Sequence, residues 1–277
     1  MDIEDFLEIP PWDWPREAGT IFRDVLMDSR ASESDRLIAA QLAGDMTVIN
    51  DDLALLLLEI ASNAGESEQI RAKAVISFGP ALEDSDSVGF EDPDVDDPIS
   101  PQTFQTIQGS LRKLYFDDSI PREVRRRVLE ASVRAQQSWH QNAIRDAYSG
   151  GDRDWMLTAV FAMRWVSGFD DQILEALKNP DPEIHYAAVI AAGDWELDAA
   201  WPHIVALVTN VVTPKRLLIA AIGALGSIRL REAVEILGVQ PPSRDEDIAE
   251  AVSEVFGMAS HSSDDPDDEE DPDERIH

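Results

Sequence analysis

Residues 184–193 read IHYAAVIAAG, and the same pattern occurs at six other places along the chain. The seven segments align without gaps, and their first residues are 35, 54, 31, 29, 33 and 31 residues apart. They are 35–44 (DRLIAAQLAG), 70–79 (IRAKAVISFG), 124–133 (VRRRVLEASV), 155–164 (WMLTAVFAMR), 184–193, 217–226 (LLIAAIGALG) and 248–257 (IAEAVSEVFG). Self-similarity at a period of about 20–50 residues indicates a repeat architecture.

The pattern inside each segment is helical. If the first residue is position 0, position +4 is apolar in all seven, and positions 0, +3, +7 and +8 extend the same stripe. Position +9 is glycine in five segments, which predicts a helix C-terminus with positive φ. Helix N-caps are predicted three residues before the start, at Ser32, Ser67, Asp152, Asp181 and Asp245.

Second helical patterns lie between these segments, for example at Leu53 to Ile60, and no convincing β alternation occurs. The repeating unit is therefore a helical hairpin of about 30 residues. The sequence predicts an all-α fold of about seven such hairpins.

The helix pattern I/V-R-x-x-A-A-x-A-L-G resembles the second helix of HEAT-type repeats, and the short period resembles the HEAT-like subclass first described in phycobilin lyases. The resemblance covers residues 15–259, although the third and fourth segments end in Val133 and Arg164 instead of glycine. It implies a right-handed α-solenoid whose second helices line a concave side. It also implies a binding scaffold or a factor that assists cofactor attachment or maturation of another protein.

Three regions are predicted. Residues 1–14 contain an apolar segment that caps the first repeat, and residues 15–259 form the solenoid. Residues 83–101 form an acidic loop between repeats, and residues 260–277 form a disordered acidic tail.

Charge excludes two classes of partner. The 277 residues include 55 acids and 23 bases, for a formal net charge of -32. Nucleic acids and anionic membranes are disfavoured because both are bound through Lys and Arg. Half of this charge lies in residues 83–97 and 264–275, which argues against the evenly spread acidity of a salt-loving source but leaves that source open.

The sequence offers little for catalysis. There is no cysteine, no HExxH or phosphate-binding loop motif, and no nucleophile elbow, so we expect no catalytic residue, metal or cofactor. None of the five histidines stands at a zinc-enzyme spacing, and His185 and His203, which lie within helical patterns, are predicted to be structural. Neither a signal peptide nor a membrane span is evident, so we expect a cytoplasmic protein.

A binding surface follows from the helical register. If positions 0, +3, +4, +7 and +8 face the core, then +1, +2, +5 and +6 face the concave groove. These positions become apolar in the fourth to sixth repeats, with Phe161, Tyr186 and Trp165 as aromatic anchors. The predicted groove residues are Met156, Leu157, Val160, Phe161, His185, Tyr186, Val189, Ile190, Ile219 and Ile222. The alternative is that tight stacking of the repeats buries them.

A basic island lies between residues 112 and 134 and includes Arg122, Arg125, Arg126 and Arg127. It is interpreted either as a dock for an acidic partner or the chain's own acidic tail, or as a helix face that balances nearby carboxylates. Together these features predict a non-enzymatic protein-binding scaffold. The alternative is a maturation factor of the bilin-lyase kind.

Overall fold

The computed structural model describes residues 2–90, 97–239 and 243–262, with backbone only for residues 261 and 262. These ranges contain fifteen α-helices, three short 3-10 turns and no strand. In chain order the α-helices are α1 (Ala18–Met27), α2 (Glu33–Leu42), α3 (Asp51–Ser62), α4 (Glu68–Ile76), α5 (Gly79–Val88), α6 (Pro101–Phe116), α7 (Arg122–Ser132), α8 (His140–Ser149), α9 (Arg153–Ala162), α10 (Asp170–Ala176), α11 (Pro182–Asp194), α12 (Trp201–Thr209), α13 (Lys215–Ile228), α14 (Leu230–Gly238) and α15 (Glu246–Ser262). The 3-10 turns are Ile3–Leu7, Pro11–Asp13 and Asp198–Ala200.

The seven aligned segments are the second helices of seven hairpins, which confirms the all-α repeat fold. They correspond to α2, α4, α7, α9, α11, α13 and α15, and each follows a first helix. The side chains of Ser32, Ser67, Asp152, Asp181 and Asp245 accept hydrogen bonds from backbone N–H groups in the first turn of their helices. These bonds satisfy donors that have no partner inside the helix, so the N-cap prediction is confirmed.

The chain divides into two compact units, Met1–Val166 and Ser167–His277. In the N-terminal unit α2, α4, α7 and α9 pack against one another in series, and in the C-terminal unit α11, α13 and α15 do the same. Position +4 is fully buried in the first six second helices, where it is alanine or valine. These small side chains let neighbouring helices approach closely.

The repeated glycines serve close packing between repeats. None of the five at position +9 has positive φ, so the prediction of a left-handed C-terminus is wrong. A Cβ added to Gly193 would lie 2.9 Å from the Cα of Ala224, and one added to Gly44 would overlap Ser77. Ala224 and Ser77 both occupy position +7 of the next repeat, and Gly226 meets Val255 there in the same way. At Gly44, Gly193 and Gly226 the next helix therefore occupies the space of a side chain, whereas Gly79 meets the side chain of Arg134 and a Cβ on Gly257 would meet no described atom within 4 Å.

The acidic insertion begins as a helix. The prediction of a loop from residue 83 onward is wrong for Glu83–Val88, because Pro80 stands in the first turn of α5 and the helix ends only at Gly89, whose φ is 74°. Burial of Ala81 and Leu82 stabilises this helix. Residues 91–96 lie outside the described ranges.

The C-terminal helix extends past the predicted end of the repeats. α15 runs to Ser262, so the first three residues assigned to the disordered tail are helical. Residues 263–277, which carry the acidic run, lie outside the described ranges.

Candidate functional site

The predicted groove residues separate into two groups. Val160, Val189 and Ile222 are fully buried, with at most 2% of their surface exposed, so their assignment to an open groove is wrong. All three occupy position +5, which is also fully buried in the first three repeats. The other seven are half-buried: Met156, Leu157, Phe161, His185, Tyr186, Ile190 and Ile219.

In the N-terminal unit, Phe161 belongs to a cluster of aromatic rings and an arginine. Its ring centroid is 4.7 Å from that of Trp165. The guanidinium of Arg134 lies 5.0 Å from the Trp165 centroid and 5.7 Å from the Phe161 centroid, within the range of cation–π attraction. Arg134 also forms an ion pair of 2.6 Å with Glu83 on α5, whereas its buried Nε has no hydrogen-bond partner.

Arg134 also lines an open cavity of about 450 Å³. The cavity is formed by the N-terminal segment, by the C-terminal ends of α2 and α4 and by the start of α5. Its lining residues are Phe6, Leu7, Ile9, Pro11, Trp14, Gln41, Leu42, Gly44, Asp45, Lys73, Ile76, Ser77, Pro80 and Arg134. The lining therefore combines apolar side chains, mainly from the N-terminal segment, with polar and charged groups in comparable amounts.

The wall formed by the N-terminal segment is held in place by an aromatic cluster. Phe6 is buried, and its ring meets those of Trp14 and Phe22 edge to face at 5.9 and 4.8 Å. The indole N–H of Trp14 donates to the carbonyl oxygens of Phe6 and Ile9 and so closes the segment on itself. Leu7 remains 50% exposed and Trp12 remains 78% exposed.

Position +10 gives the sequence signal for this surface, of which sequence reasoning identified only Trp165. In the first four repeats this position holds Asp45, Pro80, Arg134 and Trp165. The first three line the cavity, and the fourth stacks with Arg134. The ten-residue alignment stops one position earlier, so it does not include these residues.

The basic island is neutralised by its own neighbours. Arg122 pairs with Asp152 at 3.0 Å, and Arg125 pairs with Asp118 at 2.8 Å while donating to a backbone carbonyl. Arg126 and Arg127 each pair with Glu123 and Glu130. These observations favour a helix face that balances nearby carboxylates over a free dock.

Arg126 in particular is not available to a partner. Only 9% of its surface is exposed, and its guanidinium donates to Thr158 and to Glu123. Burial by itself would raise the pKa of Glu123, but the hydrogen bonds and charges of Arg126 and Arg127 lower it, so the carboxylate stays ionised. The interpretation of Arg126 as a docking residue is therefore wrong.

Ser132 and His140 form a buried pair that sequence reasoning did not anticipate. Ser132 Oγ lies 3.0 Å from His140 Nε2, and the backbone N–H of Gln137 donates to His140 Nδ1. Nδ1 is therefore the acceptor and Nε2 carries the proton, so the imidazole cannot take a proton from the serine. Burial lowers the pKa of His140 to about 4, and neither side chain is open to a substrate.

A second pair joins two histidines in the C-terminal unit. The Nε2 atoms of His185 on α11 and His203 on α12 are 2.8 Å apart, a hydrogen bond in which one ring donates and the other accepts. Burial lowers the pKa of both, assisted by the charge of His203 at His185 and of Lys178 at His203. Both rings are half-buried and hydrogen-bonded, as predicted for structural histidines.

The remaining predicted aromatic anchor, Tyr186, is already in contact with an arginine. The guanidinium of Arg216 lies 3.8 Å from the centroid of the tyrosine ring and forms an ion pair of 2.8 Å with Glu183. One face of Tyr186 is therefore covered within its own unit.

No described helix combines the length and apolarity that crossing a bilayer requires. In the same part of the chain, no three His, Asp or Glu side chains converge in a way that could hold a metal ion.

The chain is similar in structure to two solved proteins at low sequence identity. The X-ray structure of YibA from Escherichia coli matches with a TM-score of 0.46 and 18% identity, covering 89% of this chain and 84% of that one. Human deoxyhypusine hydroxylase in complex with glycerol matches with a TM-score of 0.40 and 15% identity, covering 91% and 87%. No family model matches the sequence. No curated protein matches it either. The HEAT-like helical repeat is therefore assigned from the chain's own seven hairpins.

Proposed function

We propose that the chain is a cytoplasmic, non-enzymatic protein-binding scaffold, and that the N-terminal unit contains a partner-binding surface. The observation that carries this proposal is the continuity between the aromatic–arginine cluster and the open cavity through Arg134. Aromatic rings and arginine are the side chains most often enriched at the centres of protein interfaces.

The chemistry of the buried groups also supports a binding role. Ser132 and His140 have the wrong proton arrangement for nucleophilic catalysis, and they are enclosed. None of the features in the described ranges favours the bilin-lyase-like alternative, which stays a hypothesis.

The test is affinity capture from a lysate of the source organism with matched surface variants. We expect Phe161→Asp to abolish capture of a protein that the wild type enriches, because the aspartate removes the ring beneath Arg134. Phe116→Asp is the control, since Phe116 is 58% exposed and lies at the end of a first helix. Circular dichroism should show the wild-type helix content for both variants, and Leu157→Asp replaces Phe161→Asp if that variant unfolds.

The comparison between the two variants decides the result. If capture is equal with Phe161→Asp and wild type, or if Phe116→Asp also abolishes it, then the proposed surface is wrong. If wild type enriches no protein at all, then the scaffold function itself is contradicted.

A further inference from the structure

We infer that the cavity of the N-terminal unit binds a segment of a partner protein in which an aspartate or glutamate stands beside a large apolar side chain. This inference rests on the proposed scaffold function and adds the chemistry of the partner. The observations that support it are the hydrogen-bond donors and the apolar side chains that line the cavity.

The cavity contains cations whose hydrogen-bonding capacity is only partly used. Lys73 Nζ donates to Gln41 Oε1 at 3.1 Å, and in the described ranges it forms no ion pair. Arg134 binds Glu83 through Nη1, but its Nε is buried without an acceptor. The cavity's carboxylate, Asp45, already accepts from the N–H and hydroxyl of Thr47. Lys73 therefore has spare donors, whereas the buried Arg134 Nε is closed to a ligand, and a carboxylate is the acceptor that binds an ammonium most strongly.

Lys73 is a cation in a strongly acidic chain, which has 55 acids and 23 bases. Its ammonium lines the cavity without a carboxylate partner among the described residues and is therefore complementary in charge to an acidic group of a partner. That partner needs a second source of binding energy, because the chain's formal net charge of -32 repels acidic molecules.

The apolar wall supplies this second source. Leu7 is half-exposed, and Ile9, Pro11 and Ile76 are partly exposed, so a large apolar side chain can cover them. A volume of about 450 Å³ lies within the range of about 300–1,000 Å³ that is typical of ligand pockets. A peptide that places a carboxylate at Lys73 and an apolar side chain on Leu7 uses both parts of the site.

The experiment is selection of a phage library of random twelve-residue peptides on the full-length protein. We expect the enriched peptides to contain Asp or Glu next to Leu, Ile, Phe or Trp. A synthetic enriched peptide should bind Lys73→Glu at least tenfold more weakly than wild type. Lys113→Glu, which makes the same charge change on an exposed lysine of α6, should bind within twofold of wild type. Replacing the peptide's acid by its amide should also weaken binding at least tenfold.

Three results would overturn the inference. These are enrichment of peptides without acids, equal weakening by Lys73→Glu and Lys113→Glu, and failure to enrich any peptide. A separate test uses carbodiimide coupling of the protein alone. If Lys73 becomes joined to an acid of residues 264–277, the occupant is the chain's own segment and not a partner.

The inference and the proposed function can fail separately. If the lysate experiment gives a partner that depends on Phe161 while the peptide selection fails, the scaffold stands and only the partner chemistry is wrong. If both fail, the function is contradicted as well.

Discussion

At the scale of single residues, His140 couples the stability of the fold to pH. Its Nδ1 accepts a hydrogen bond from the backbone and its Nε2 faces Ser132, so the folded environment suits only the neutral ring. Its pKa is about 4 in the folded protein, against an ordinary value of 6.5. Since the unfolded chain takes up the proton first, stability falls as the pH falls from 6.5 towards 4.

We expect the free energy of unfolding to decrease by up to about 3 kcal/mol over this range on account of His140. The measurement is urea unfolding at several pH values, for wild type and for His140→Gln. The variant should show a smaller decrease between pH 6.5 and 5, because its side chain does not titrate. Parallel curves for the two proteins would show that His140 does not carry the effect.

At the scale of the helix pair, the contact between α11 and α13 depends on the absence of one side chain. Gly193→Ala would place a Cβ 2.9 Å from both Cα and Cβ of Ala224. Because the obstacle includes backbone, we expect a loss of about 1–3 kcal/mol in the free energy of unfolding. The measurement is denaturant unfolding followed by circular dichroism.

Gly223→Ala is the matched control for this prediction. Gly223 lies in α13, and a Cβ added there meets no described atom within 4 Å. It should stabilise the protein by up to about 1 kcal/mol, because alanine is the better helix former. If both variants shift the unfolding midpoint in the same direction, the packing explanation is wrong.

The elements themselves could largely be predicted from the sequence. The apolar stripe and the N-cap residues located all seven second helices, because these signals depend on local geometry. Helix α5 was missed because Gly79, at position +9, predicts a helix end, although Gly79 and Pro80 in fact stand in the first turn of a new helix.

The candidate site was less predictable, for a physical reason. A stripe of positions 0, +3, +4, +7 and +8 describes a helix that packs on one side, whereas a helix in a stack also contacts the repeats before and after it. The wider contact arc buries position +5. Val160, Val189 and Ile222 therefore do not line an open groove. The cavity depends on the fold of the N-terminal segment over α2, which no repeat pattern encodes.

At the scale of the whole molecule, like charge opposes the compact state. The formal net charge is -32, and most ion pairs in the described ranges involve an exposed partner and contribute little individually. We expect the urea midpoint at pH 7 to rise when NaCl increases from about 20 to 500 mM, since salt screens the repulsion more than it weakens these pairs.

The control is a series in which sucrose replaces the salt at equal osmolality. Sucrose acts through exclusion from the protein surface and does not screen charge, so its effect measures the part that is not electrostatic. A midpoint that falls with NaCl would mean that the ion pairs outweigh the repulsion.

The close contact between Gly79 and Arg134 is adjustable, unlike the contact between Gly193 and Ala224. A Cβ on residue 79 would lie 2.9 Å from the Nε of Arg134, so a side chain there and this arginine compete for one space. The arginine side chain is long and flexible, so it can move aside for an alanine at residue 79, whereas the backbone of Ala224 beside Gly193 cannot move in the same way. The two glycines therefore differ in the substitutions they permit, although they occupy the same position of their repeats.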